Sequence, residues 1–263
     1  VSIPPDPSGP QIAQDPQIAQ DPQVQPAAIP AGPGAPGAAV PALPPLRDQA
    51  DRLIQLGLAR IAGLPPEVVY AGAHEADMPG AGSALLVLHP AVLPASVLAP
   101  HVTVAGRSGF VVADMTDVDA FIPIDEVDLP EDPIYLIDGP DRGDEMAGRS
   151  PQEALPAITG AGRTPLLLTE GLHWVLQQPG VLQRNHCFMT IGSRRRRPNG
   201  TLDARTPALW LSNGTGRDGA HRRHAPKVGW CWARNRHTWL GFASAAARRP
   251  VPGEFDTIAC NVF

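Results

Sequence analysis

From residue 47 onward the chain alternates apolar and polar positions with two different periods. In RDQADRLIQLGLARIAG (47–63) the apolar residues Ala50, Leu53, Ile54, Leu58 and Ile61 fall on one helical face. Gly63 and the pair Pro65-Pro66 end that pattern, and the folded chain is expected to start with it. Short apolar runs bounded by turn residues come next. ALLVL (84–88), VTV (102–104), GFVV (109–112) and IYLID (134–138) read as strands. SPQEALPAI (150–158) opens with Ser150 and carries Glu153 three residues later, a capping box with proline in the first turn. TEGLHWVLQQP (169–179) reads as a helix capped by Thr169 and ended before Pro179. Four more strand patterns follow: HCFMTI (186–191), PALWLS (207–212), VGWCWA (228–233) and TWLGFAS (238–244). Helices and strands do not alternate strictly. The expectation is therefore an α+β fold, with an antiparallel meander in the C-terminal half and a few short helices.

Residues 1–46 lack any such period. They hold 13 prolines and three charges, and QIAQDP occurs twice in succession, at 11–16 and 17–22. Such a composition cannot bury enough apolar surface to offset chain entropy, so this head is expected to be disordered, a solvated tail and not a peptide ligand. The expected organisation is a head over 1–46, one domain over 47–249 and a tail over 250–263.

The net charge of −5 selects no partner, but its distribution is uneven. Residues 64–162 carry 16 acids against three arginines, whereas residues 163–263 carry 15 basic residues against five acids. Two halves of one domain packing against each other explain this without a partner. The alternative is a nucleic-acid surface on Arg194, Arg195, Arg196 and Arg197 together with HRRHAPK (221–227), but no recognised reading module accompanies the charge. Twenty arginines against a single lysine, Lys227, suggest a GC-rich bacterial coding sequence. The three cysteines make no disulfide framework, and VSIPPDPSGP has no signal-peptide pattern. No apolar run approaches the roughly 20 residues of a membrane helix. A cytoplasmic protein away from membranes is expected.

Candidate chemistry concentrates in WCWARNRHTWLGF (230–242). If 228–233 and 238–244 pair as a hairpin, Trp232 faces Trp239 and Trp230 faces Gly241. The three indoles then form an apolar sheet face, read first as core and second as a ligand surface flanked by Arg234 and Arg236. His237, at the turn end near those arginines, is expected to favour its neutral form. Cys187 and His237, with Asn235 or Asn185, are residue types that suit a cysteine hydrolase. No spacing among the cysteines and histidines fits a zinc site, and no metal or cofactor is expected. DGPDRGDE (138–145) lacks the calcium-loop spacing, and the chain has no G-x-S-x-G elbow or phosphate loop.

Several phrases occur together: IYLIDGPDRGDEM (134–146), SPQEALPAI, GRTPLLLTEGL (162–172), NHCFMTIGSR (185–194), PALWLS and PKVGWCWARNRHTWLGFASAA (226–246). In these the chain resembles an uncharacterised actinobacterial family, a domain of unknown function, over about residues 67–249. That resemblance implies a soluble actinobacterial protein and supplies no reaction or ligand. The functional expectation is a non-catalytic binding or interaction module; the alternative is a small cysteine-dependent hydrolase or transferase using Cys187 and His237.

Overall fold

The computed structural model describes residues 40–74 and 84–251. The QIAQDP repeat and Cys260 lie outside the described residues. Helices α1 (Leu46–Gln55), α2 (Leu58–Ile61) and α3 (Pro66–His74) precede strand β1 (Ala84–Leu88). Then come α4 (Ala95–Leu98), β2 (Thr103–Val104), β3 (Arg107–Ser108), β4 (Phe110–Val111), β5 (Ile122–Pro123) and β6 (Ile134–Asp138). After α5 (Pro151–Gly160), β7 (Thr164–Pro165) and α6 (Leu168–Gln177), the chain is largely strand. These last strands are β8 (Cys187–Met189), β9 (Ser193–Arg194), β10 (Arg205–Leu211), β11 (Pro226–Trp232), β12 (Leu240–Phe242), β13 (Ser244–Ala245) and β14 (Ala247–Pro250). The class is α+β, as the pattern predicts.

Two sheets carry the core. One is antiparallel, in the order β1-β6-β14; the other has the order β12-β8-β10-β11-β4. In the second, β8, β10 and β11 form the antiparallel part, while β4 and β12 join its edges in parallel. All five residues of β1 are buried, so it reads as an unbroken apolar run and not as an alternation.

Helix α6 lies between the sheets, and all ten of its residues are buried. Its helical period sorts them. Glu170, His173 and Gln177 point to the first sheet and α1: the Tyr135 hydroxyl donates to Glu170 at 2.8 Å, Leu88 N–H to His173 at 3.2 Å, and Gln177 to the Gln49 carbonyl at 3.1 Å. Trp174, 1% exposed, packs on Phe188 of the second sheet with centroids 5.5 Å apart. Glu170 also accepts from Arg248 of β14 at 2.6 Å on each oxygen, and Arg248 reaches Thr164 Oγ1 and the Pro165 carbonyl. A buried ion pair with every polar group satisfied thus joins α6, β6, β7 and β14. Gln49 of α1 does similar work outside β1: its side chain donates to Ala84 O at 2.9 Å and accepts from Leu86 N at 2.9 Å.

Three local expectations change. The 47–63 helix breaks after α1, because Gly57 adopts φ +72°, and α2 resumes at Leu58. Helix α3 adds to the expected elements: Pro65-Pro66 ends one helix, and Pro66 is also the first residue of the next. Thr169 does not cap α6. The helix begins one residue earlier, and its first N–H groups go to Glu170 and to Ser193 Oγ at 2.9 Å, a partner remote in sequence. At the ends, Val40 and Leu43 pack on the core, Leu46 is buried, and Val251 is buried beyond the expected domain edge.

Candidate ligand-binding site

Strands β10 and β11 pair along their full length, with Arg205 opposite Trp232, Pro207 opposite Trp230, Ala208 opposite Gly229 and Trp210 opposite Lys227. Alternation puts Arg205, Pro207, Trp230 and Trp232 on one face and Trp210, Gly229, Cys231 and Lys227 on the other. The expected hairpin between 228–233 and 238–244 does not form. Strand β12 instead pairs with β8, so that β8 and β10 separate it from β11. Asn235-Arg236 lacks the left-handed turn chemistry a tight hairpin needs. The segment crosses to the start of α5, where Gln152 N–H bonds Ala233 O at 3.2 Å, Gly148 N–H bonds His237 O at 2.9 Å, and Arg236 pairs with Glu153.

Trp232 therefore does not face Trp239, nor Trp230 Gly241. Trp230 and Trp232 meet each other edge to face, with centroids 4.7 Å apart. Trp239 meets Trp210 on the opposite face at 6.4 Å. The glycines have other reasons: a Cβ on Gly229 would lie 2.3 Å from the Trp210 indole, and one on Gly241 would lie 2.3 Å from Arg142 O. Trp210, Trp230, Trp232 and Trp239 are all half-buried. The fully buried indole is Trp174, in a different element.

The Trp230–Trp232 step is braced by groups the sequence did not single out. The Arg205 guanidinium sits 5.3 Å from the Phe121 ring and 6.0 Å from that of Trp230. It forks onto Asp117 at 3.0 and 2.7 Å and onto Asp203 at 3.3 and 3.2 Å. The hydrogen bonds from Arg205 hold the Asp117 carboxyl below its usual range, and those to Asp117 raise Arg205 in turn. Arg195 shares Asp117, Arg196 pairs with Asp125, and Arg194 donates to Asp203 O. Two of the four arginines of the 194–197 run, Arg195 and Arg196, are thus occupied by carboxylates of the acidic half of the chain.

The residues expected for cysteine chemistry are placed differently. Cys187 is 3% exposed, and its thiol donates to Gln183 O at 3.4 Å. Burial pushes that thiol up to about 12. His237 packs on Trp239 at 5.6 Å; its Nε2 is buried without a partner, and burial lowers its pKa. Asn235 and Arg234 are exposed. Among the described residues no hydrogen bond or ion pair links Cys187, His237 and Asn235. No group of three or more His, Cys, Asp or Glu among them is placed to hold a metal. In 138–145 the acids serve the fold: Asp144 pairs with Arg142, and Asp138 pairs with Arg249.

A family model described as a family of unknown function, DUF5701, matches residues 52–251. The chain belongs to this family. The DUF5701 match spans α1 from its seventh residue to the end of β14, and so includes every residue of the site. No curated protein matches the chain, and no solved structure does. The DUF5701 description brings no reaction or ligand with it. Among the described residues no helix is long and apolar enough to cross a membrane.

Proposed function

We propose that this protein is a non-catalytic binding module whose contact surface is the Trp230–Trp232 step. The observation that carries the reading is the pair of interlocked, half-buried indoles held on a strand by Arg205, Asp117 and Asp203. Strand-borne aromatic groups with fixed orientation lose little entropy on binding, and indoles offer large contact area to a flat apolar group. Against the cysteine alternative stands the Cys187 thiol, whose ionised fraction at neutral pH is on the order of one in 10⁵ for a group at about 12. The test is paired. In a small-molecule and peptide screen read by tryptophan fluorescence, ligands found with the native protein are expected to be lost with Trp232→Ala, whose melting temperature stays close to the native one. Native Cys187 is expected to resist iodoacetamide. Rapid Cys187 alkylation, or esterase or amidase activity abolished by Cys187→Ser, would restore the enzyme reading.

The buried free thiols Cys187 and Cys231 support a reducing, cytoplasmic setting, and the shared phrases support an actinobacterial source. For the domain, burial of Leu46 and Val251 supports edges near residues 40 and 251, wider than the 47–249 read from the sequence pattern.

A further inference from the structure

The arginines of the chain differ in what they meet. Several, those at 195, 196, 205, 236, 248 and 249 among them, meet carboxylates of this same chain. Arg107, Arg217, Arg222 and Arg223 have no carboxylate within ion-pair distance among the described residues. Two of the four, Arg107 and Arg222, line one pocket of about 440 Å³, together with Ser108, Gly109, Phe110 and His221. That volume lies within the usual range for small-ligand sites. No acidic residue lines it.

The walls of this pocket are fixed before any ligand arrives. On one side is the β2–β3 hairpin, whose turn residues Ala105 and Gly106 have φ +48° and +73°, the left-handed pair of a tight two-residue turn. On the other side is the loop 212–225. Its single acid, Asp218, is buried and accepts from Lys227 at 2.8 Å and from Ser212 at 2.7 Å. That pairing cancels the charge of Asp218 against Lys227 and leaves the arginines of the loop uncompensated. Backbone bonds between Ser212 N and Ala225 O at 2.9 Å, and between His224 N and Ser212 O at 2.8 Å, close the loop at its base. Arg107 Nη1 donates to His221 O at 3.3 Å and ties the two walls together. Arg222 lies 4.3 Å from the centre of the Phe110 ring, which positions its guanidinium without using up its charge.

Two unpaired guanidinium groups, a hydroxyl and an imidazole around a pocket free of acids make a site for a doubly charged oxyanion. We infer that this pocket binds the phosphate group of a small molecule, a phosphate ester or diphosphate. The site is separate from the Trp230–Trp232 step and does not depend on it.

The test uses the full chain with pyrophosphate as probe, by titration calorimetry at low ionic strength. Saturable binding is expected, and it should weaken as salt rises. Arg222→Ser and Arg107→Ser should each weaken it by about tenfold or more, the scale of losing a charge-assisted contact. Arg195→Ser with Arg196→Ser should leave it unchanged. Arg107 is exposed and Arg222 half-buried, and neither meets a carboxylate among the described residues, so thermal melts of the variants should stay close to the native one. No pyrophosphate binding at low salt, binding that survives the Arg107→Ser/Arg222→Ser double variant, or binding of single-stranded DNA without binding of pyrophosphate would each overturn the inference.

Discussion

At the scale of single residues, the five tryptophans do different jobs, which composition alone does not distinguish. Trp174 fills the space between α6 and the second sheet and donates its indole N–H to Gln178 at 2.8 Å. Trp174→Ala leaves a cavity, and the expected loss is about 3–5 kcal/mol, a large part of a domain's stability. Trp232→Ala removes a half-buried ring beside the main core and should cost much less. Urea unfolding of the two variants side by side decides this; equal losses would make the 230–232 step part of the core. The sequence pointed to the right stretch but to the wrong partners. Trp230 and Trp232 share a face because they are two apart on a strand, which any strand reading gives. That Arg205 and Asp117 brace them depends on pairings between segments some 25 and 113 residues away, which no local spacing reveals. The positions of Cys187 and His237 misled for a related reason: residue type suits the chemistry, but burial decides whether a thiol ionises.

At the scale of elements, strands with uninterrupted apolar runs were the most legible. ALLVL and IYLID are β1 and β6 over their full lengths, and the capping box at Ser150 and Glu153 forms as read, with Ser150 N–H donating to Glu153 at 2.9 Å. Strand order was not legible, because a strand's own sequence does not say which neighbour it takes. The β12–β8 pairing is favoured by contacts of the 233–239 crossing with α5, which lies some 80 residues earlier. The Glu170–Arg248 pair is the element-scale counterpart of Trp174. Arg248→Met strands a buried carboxylate and should cost about 3–5 kcal/mol. Arg248→Met combined with Glu170→Leu should recover much of that loss, since an apolar pair of similar size avoids the unpaired charge. A mild single variant, or a double variant worse than the sum, would mean that the pair does not hold β14 to α6.

For the molecule as a whole, two expectations follow from burial. His173 is fully buried, its Nδ1 donating to Thr169 O at 2.8 Å and its Nε2 accepting from Leu88 N, and burial lowers its pKa to about 4. The unfolded chain, with histidine near 6.5, then binds a proton that the native state does not. The contribution is complete above the unfolded value and is lost as pH falls from about 6.5 to 4, by roughly 3 kcal/mol from this group. Burial lowers His89 and His237 as well, which adds to the same trend. Unfolding followed from neutral pH to about pH 4 should show this decline, and His173→Gln should flatten it; a native profile level across that window would contradict the neutral, buried imidazole. The second expectation concerns the edges. A chain of residues 40–251 should melt like the full-length protein, whereas one of residues 47–251 should melt lower. The shorter chain loses Leu46, the Val40 and Leu43 contacts, and the carbonyls of Pro41 and Pro44 that accept from Gln178 and Gln49. Identical melts would place the boundary back at 47.

The Gln49 side chain bonded along β1 has a consequence beyond this chain's own stability. Among the described residues strand β1 is the outermost member of its sheet, and a bare strand edge is a template on which another copy of the same apolar sequence can add. By occupying Ala84 O and Leu86 N, a single amide acts as a one-residue stand-in for the missing neighbour. The first harm from losing Gln49 would therefore appear in a crowded solution as copies recruiting one another into aggregates, sooner than as unfolding of any one of them.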